Sequence, residues 1–266
     1  MHNMMRVIKM TKKLLIAFVV MFVALVGVIG CVLVKDQKSD KQQETSVVEP
    51  TEEATVEPTV EPTVDPETDP RFTSTDSVLV FANKKHKLPD GYEPSDLVSL
   101  TVATAYGDVQ MRQEAATALE NMFNAANAEG VYPVVTTAYR SEAFQTDLYN
   151  GYVERDGQEA ADTYSSRPGY SDHQTGLAAD ISCESNEYNL NQEFENTTEG
   201  QWLAQHAHEY GFVMRYPNGK ESVTGYTYEP WHFRYIGVED ATALYNSDPN
   251  MTMEEYYGVS GGDYAD

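Results

Sequence analysis

The stretch SDHQTGLAAD, residues 171–180, decides the fold around it, and EPWH, residues 229–232, completes it about fifty residues later. His173, Asp180 and His232 bring two imidazoles and one carboxylate to these motifs. Zinc binds such nitrogen and oxygen ligands tetrahedrally, and catalytic zinc sites keep the fourth position open for water. The two motifs therefore predict a zinc site with hydrolytic chemistry.

Glu229 is the spare carboxylate of the second motif. A water molecule that attacks a substrate needs a base to take its proton, and a glutamate three residues from a ligand can be held in that place. The residue before a proline favours extended backbone, so Pro230 predicts a strand or turn and not the helical HExxH arrangement. Glu229 and His232 would point to opposite faces of a regular strand, and we therefore expect a kink near Pro230.

The residues between His173 and Asp180 support the same geometry. Gly176 permits a tight backbone approach, and residues 177–182 resemble a buried strand that aims Asp180 from one face. Cys183 follows closely, and we interpret it as a small packed residue and not as a fourth ligand.

Several longer stretches resemble a known family. SDHQTGLAAD fits the pattern SxHxxGxAxD and EPWH fits ExxH, as in the zinc D-alanyl-D-alanine carboxypeptidases related to VanY and the LD-carboxypeptidases of bacterial walls. The resemblance covers roughly residues 78–257, and it implies a zinc peptidase of the fold shared with Hedgehog signalling domains. Further matches are TAYRS (137–141), SSRPGYSDHQTG (165–176), WLAQHAHEYGFVMRYP (202–217) and GYTYEPWHFRYIG (225–237).

The resemblance also implies residue roles and a substrate. The metal ligands would be His173, Asp180 and His232, holding one zinc ion per chain, with Glu229 as the catalytic base. Arg140 would stabilise the developing oxyanion or steady the substrate. Residues that would bind the substrate or line the cleft are Arg140, Gln145, Ser166, Ser171 and Trp231. The reaction implied is removal of the terminal D-alanine from peptidoglycan stem peptides.

Two other classes of function stay open on the sequence alone. One is an endopeptidase that cuts cross-links between stem peptides, which would need space in the cleft beyond the leaving residue. The other is a non-catalytic wall-binding module that keeps zinc for structure, although such a module has no use for Glu229 as a base. Specificity for an L or a D penultimate residue also stays open.

The net charge of −24 and the pI near 4.4 disfavour nucleic acid as a partner, because phosphate would be repelled. Two cysteines, Cys31 and Cys183, are too few for a disulfide framework. We expect a monomer whose partners are peptidoglycan stem peptides and the membrane.

Residues 1–34 predict a membrane segment. Four basic residues and no acidic residue occupy positions 1–13, and an apolar run follows over 14–34. That run is long enough to span a bilayer, and its basic flank predicts a cytoplasmic amino end and an extracellular remainder. Because residues 28–31, VIGC, resemble a lipobox, a lipoprotein signal cleaved before Cys31 is the alternative to an uncleaved signal anchor.

Residues 35–70 predict an extended linker. The composition changes to Thr, Glu, Pro and Val, with VEPT repeated at 56–59 and 60–63. Such a segment cannot bury a core, and proline and like charges keep it extended. The linker would hold a catalytic domain over 71–266 away from the membrane and towards the cell wall.

Within that domain, hydrophobic periodicity predicts an α+β fold with a central antiparallel sheet and flanking helices. His86 lies in a predicted loop and should be exposed and not a ligand. Strands are predicted at 78–80, 131–138, 177–182, 212–216, 226–229 and 232–236. Helices are predicted at 110–128, from a cap at Ser141 to near Gly157 with Phe144, Leu148 and Tyr152 inward, from a capping box at Thr198 and Gln201 to Gly211, at 240–246 and at 253–257.

Overall fold

The computed structural model describes residues 64–264. The predicted membrane segment at 1–34 and residues 35–63 of the predicted linker lie outside these residues. Between residues 64 and 264, no helix is both long and apolar enough to cross a bilayer.

Folded structure begins before the predicted domain boundary at residue 71. The Glu67 carboxylate accepts the Ser260 backbone N–H at 2.7 Å and lies 2.9 Å from Nε2 of His86. His86 was predicted to be exposed, but only 17% of its side chain is, because both ring nitrogens have partners. The elements of this stretch are a 3₁₀ turn, Pro66–Thr68, and helix α1, Pro70–Thr73.

A four-stranded antiparallel sheet carries both sequence motifs. Its strand order is β3-β4-β6-β5, and a separate antiparallel pair joins β1 to β2. The predicted α+β fold with an antiparallel sheet is confirmed. The strands are β1 Leu97–Ser99, β2 Gln110–Arg112, β3 Val134–Thr137, β4 Ala178–Ser182, β5 Phe212–Tyr216 and β6 Glu229–Tyr235.

Helices and short 3₁₀ turns surround the sheet. The longer helices begin and end within a few residues of their predicted bounds. The remaining helices are α2 Gln113–Ala128, α3 Glu142–Asp156, α4 Gln158–Asp162, α5 Thr198–His206, α6 Glu221–Thr224, α7 Val238–Ser247 and α8 Met253–Tyr257. Further 3₁₀ turns are Asp172–Thr175, Glu184–Asn186, Gln192–Asn196 and Ala207–Tyr210.

Helix α2 supplies one side of the main core. Its predicted start at residue 110 is three residues too early, because Gln110–Arg112 pairs with β1 and the Arg112 N–H donates to the Gly176 carbonyl at 2.8 Å. The side chains that α2 buries recur three or four residues apart, as a helix packed on a sheet requires. They lie in one core cluster with Val135, Ile181 and Phe233, and they are Ala115, Ala116, Leu119, Met122, Phe123 and Ala126.

Helix α3 begins and ends as predicted, but one of its faces was assigned wrongly. The Ser141 hydroxyl accepts the Phe144 N–H at 3.2 Å, and Gly157 ends the helix at φ 84°, a conformation that favours glycine. Phe144 was predicted to face inward, yet 58% of it is exposed. The buried residues of α3 are Gln145 and Tyr149, so the helix presents a polar amide to the interior.

Residues 78–80 form a turn, and the strand predicted there is wrong. The carbonyls of Val78 and Val80 accept hydrogen bonds from Nη2 of Arg234 at 2.9 and 2.8 Å. Arg234 is fully buried in β6, so its guanidinium needs partners inside the protein. The carbonyls that satisfy it are not available to a strand ladder.

Candidate metal centre

Strands β4 and β6 bring two of the predicted ligands side by side. Asp180 and His232 are direct partners in the antiparallel register. His173 lies in the 3₁₀ turn before β4, and Gly176 closes that turn at φ 68°. The three residues are buried, and one ligand atom from each lies within 4.8 Å of the others. The structure thus places the predicted His–Asp–His set in one cluster.

The two histidines present different ring nitrogens to Asp180. Nδ1 of His173 donates to the Ala138 carbonyl at 2.7 Å, which leaves Nε2 facing Oδ2 of Asp180 at 3.2 Å. His232 instead presents Nδ1, at 3.2 Å from Oδ1 of Asp180. The imidazoles therefore approach the same carboxylate from two sides, and each has a lone pair available once it is neutral.

The charges of the cluster fit a cation. Oδ1 of Asp180 is buried and has no hydrogen-bond partner among residues 64–264. Burial lowers the pKa of His232, but the neighbouring carboxylates of Asp172, Asp180 and Glu229 outweigh it and raise that pKa well above its usual value. The surroundings of His232 thus favour positive charge, which a metal supplies when it displaces protons from its ligands.

Glu229 lies next to the cluster but is not one of its three members. Its Oε2 is 3.4 Å from Nδ1 of His232. Burial raises the pKa of the Glu229 carboxyl above its usual value, and the hydrogen bond from His232 opposes that rise. A raised pKa suits a carboxylate that accepts a proton and later returns it.

A bulge in β6 brings Glu229 and His232 together. Met214 pairs with Phe233, whereas Tyr216 pairs with Glu229, and the register shifts between these pairs. One residue of β5 therefore lies opposite Pro230, Trp231 and His232. The predicted kink near Pro230 is confirmed, because a regular strand would have directed the two side chains to opposite faces.

Asp172 also belongs to the site, although it was not among the residues predicted from the sequence. Its Oδ2 lies 3.5 Å from Nε2 of His232, on the side of the ring away from Asp180. Asp172 forms an ion pair with Arg234, and Nε of Arg215 is 3.8 Å away. Carboxylates in this position orient metal-binding histidines. Two arginines within strands could have signalled a buried acid.

A pocket of about 310 Å³ opens over the cluster. Four of the five side chains predicted to contact substrate lie in its wall, namely Arg140, Ser166, Ser171 and Trp231. Arg140 is held beside a ligand, because its backbone N–H donates to the His173 carbonyl at 3.3 Å. Lining residues that the sequence analysis did not identify include Leu148, Tyr152, Tyr164, Leu190, Tyr216 and Tyr226.

Gln145 lies behind the pocket wall. It is fully buried and does not line the pocket. Its amide nitrogen donates to the Ser166 carbonyl at 2.7 Å and lies 3.4 Å from the Ser165 hydroxyl. Gln145 therefore fixes the segment that carries Ser166, in place of the predicted direct contact with substrate.

Comparison with known proteins identifies the family. Residues 108–238 match the family "VanY: D-alanyl-D-alanine carboxypeptidase", and this range contains the three clustered ligands and Glu229. The YodJ protein of Bacillus subtilis (strain 168) is 42% identical over 186 residues, which are 68% of this chain and 67% of YodJ. This chain belongs to the VanY family.

Solved structures agree with the VanY assignment. The LdcB LD-carboxypeptidase superposes with a TM-score of 0.67 at 40% identity, over 71% of this chain and 89% of LdcB. A mutant of the vancomycin resistance D,D-pentapeptidase VanY, in complex with Zn(II), gives 0.57 at 30% identity, over 67% of this chain and 98% of that one. With its buried His–Asp–His cluster, this VanY-family chain is a zinc-dependent carboxypeptidase.

Proposed function

We propose that this VanY-family protein is an LD-carboxypeptidase, which removes the terminal D-alanine from tetrapeptide stems of peptidoglycan. The observation that carries the proposal is a carboxylate base, Glu229, 3.4 Å from a ligand of the cluster and inside a pocket that also holds the Arg140 guanidinium. The higher identity to LdcB, 40% against 30% for the D,D-pentapeptidase, supports LD specificity.

The size of the pocket supports removal of one small residue. Ligand pockets span about 300–1,000 Å³, and this one, at about 310 Å³, lies at the small end. An endopeptidase would need room beyond the leaving residue for a second stem peptide. The small pocket therefore favours a carboxypeptidase.

The residues of the chain divide the reaction between them. Zinc, when bound, supplies a Lewis acid that polarises the scissile carbonyl and lowers the pKa of water. Glu229 takes a proton from the attacking water, whose oxygen bonds to the carbonyl carbon. The C–N bond then breaks, and Glu229 returns the proton to the amine of the leaving D-alanine. The hydrolysis consumes one water molecule for each peptide bond that is cleaved.

Arg140 provides the cationic side of the pocket. Its guanidinium lies in a wall whose acidic members are Asp172, Asp180 and Glu229, and its Nε is buried without a hydrogen-bond partner among residues 64–264. A guanidinium in this place binds a carboxylate or a developing oxyanion. The Arg140 side chain thus stabilises the carbonyl oxygen in the transition state or holds the carboxylate of the terminal D-alanine.

The specificity is tested with three substrates: a tetrapeptide stem, a pentapeptide stem and a cross-linked dimer. Mass spectrometry should show loss of one D-alanine from the tetrapeptide, with kcat/KM on the order of tenfold or more above that for the pentapeptide. Asp180→Ala serves as the blank for contaminating peptidases. Faster release from the pentapeptide would make the enzyme a D,D-carboxypeptidase, and cleavage of the dimer would make it an endopeptidase.

We further propose that the catalytic domain is tethered as a monomer outside the cell, facing the wall, by an uncleaved anchor at 14–34 and the linker at 35–70. The basic flank and the apolar run of the sequence support this arrangement. The full chain should partition with membranes, and Cys31→Ser should leave that partition unchanged. Release of this variant, or labelling of the wild-type Cys31 by a radioactive fatty acid, would support a lipoprotein.

A further inference from the structure

The segment after helix α8 returns to the wall of the active-site pocket and ends the described chain at Tyr264. Backbone and side-chain bonds hold it: the Gly262 N–H donates to the Val223 carbonyl at 2.6 Å, and Nδ2 of Asn83 donates to the Ser260 carbonyl at 3.0 Å. The segment lies beyond residues 108–238, which match the family. The segment does not line the pocket, so any effect on substrate passes through the wall residues that it contacts.

Tyr264 packs firmly where the segment meets the pocket wall. The Arg167 guanidinium lies 4.0 Å from the centre of its ring, and the ring of Tyr170 meets it edge-on at 5.2 Å. The Nζ atom of Lys84 is 5.2 Å from the same ring. These contacts fix the ring, so its hydroxyl has a defined position.

A chain of hydroxyl groups leads from Tyr264 into the pocket. The Tyr264 oxygen accepts the Arg167 backbone N–H at 2.7 Å and lies 3.3 Å from the hydroxyl of Tyr226. The Tyr226 hydroxyl in turn donates to Oγ of Ser166 at 2.9 Å. Tyr226 and Ser166 both line the pocket. We call the hydroxyls of Tyr264, Tyr226 and Ser166 the relay.

Counting protons gives the relay one direction. Each hydroxyl has a single hydrogen to donate. Tyr226 donates its hydrogen to Ser166, so Tyr264 must be the donor in the bond between the two tyrosines. Burial raises the pKa of both tyrosines, so both keep their protons at neutral pH. Since Oγ of Ser166 already accepts a bond, the Ser166 hydrogen is free to donate to an acceptor in the pocket.

We infer that Tyr264 is a positioning residue for substrate: through Tyr226 it orients the Ser166 hydroxyl as a hydrogen-bond donor to a carbonyl or carboxylate oxygen of the stem peptide. The inference rests on the proposed function, since it concerns the substrate of the same pocket. Bonds in series polarise one another, so loss of the first weakens the donor at the end.

The test is Tyr264→Phe, which removes the hydroxyl and keeps the ring packed. KM for the stem peptide that the wild type cleaves should rise about two- to tenfold, the effect of one hydrogen bond, with kcat nearly unchanged. Zinc content should equal that of the wild type, because the relay does not include a ligand. Tyr92→Phe is the matched control, since it breaks a 3.0 Å bond to the Thr75 carbonyl and Tyr92 does not line the pocket.

A double-mutant cycle distinguishes positioning from packing. If Tyr264 acts through Ser166, then Tyr264→Phe should change KM little in a Ser166→Ala background. Equal rises in KM in both backgrounds, or no rise in the single variant, would overturn the inference while the carboxypeptidase proposal stands. Absence of D-alanine release from the wild type on every stem peptide would overturn both.

Discussion

Glu229→Gln should reduce kcat for D-alanine release by about ten-thousandfold or more while zinc stays bound. Positioned acid-base groups typically contribute about a hundredfold to ten-thousandfold, and here one carboxylate serves both proton transfers. Glutamine keeps the shape and can still hydrogen-bond to His232, but it cannot accept a proton from water. Because Glu229 lies outside the three-member cluster, its substitution leaves the ligands intact.

Two measurements on the same preparation decide this prediction: zinc content by elemental analysis and D-alanine release by mass spectrometry. Glu239→Gln, on the exposed side of α7, is the matched control and should behave like the wild type. Zinc retained with near-normal release would contradict the assignment of Glu229 as the base. Loss of zinc would show instead that Glu229 is a ligand.

The sequence was sufficient for the metal cluster because its geometry is local or follows directly from strand pairing. Two residues on adjacent strands, Asp180 and His232, need only the correct register to meet. Gly176 turns the chain so that His173 reaches the same point. Pro230 likewise predicted the bulge that turns Glu229 towards His232, because proline disrupts a regular strand ladder.

Hydrogen bonds and ion pairs between residues far apart in the chain could not be predicted from the sequence. The strand predicted at 78–80 failed because Arg234, 154 residues further along, binds the carbonyl of Val80. Asp172 was missed for the same reason, since its partners Arg215 and Arg234 come from β5 and β6. Local propensity describes a segment in isolation, whereas a buried guanidinium takes acceptors from wherever the fold provides them.

Helix α3 shows that hydrophobic periodicity alone does not predict which residues of a helix are buried. Phe144 and Gln145 are neighbours, and a hydrophobic pattern alone directs the phenylalanine inward. In the structure Gln145 is fully buried, because the Ser166 carbonyl needs a donor at that point of the pocket wall. The requirement for that hydrogen bond arises only after residues 165 and 166 pack against α3, so no local pattern contains it.

Removal of one ligand should abolish both metal binding and activity. Asp180→Ala takes away the carboxylate that lies between the two imidazoles. His173→Ala removes the ligand atom Nε2, whose ring is held by the hydrogen bond from Nδ1 to the Ala138 carbonyl. We expect zinc to fall from about one ion per wild-type chain to near zero in either variant, because catalytic zinc is held by only three protein ligands. D-Alanine release should fall to the background of the assay.

Thermal unfolding provides a readout that does not depend on turnover. A ligand that binds only the folded state raises its stability with concentration, so added zinc should raise the Tm of the wild type after chelation and leave that of Asp180→Ala unchanged. Asp147→Ala, on helix α3 and outside the pocket wall, is the matched control and should respond to zinc as the wild type does. Full zinc content in both ligand variants would refute the assignment, because the ion would then be held by other residues.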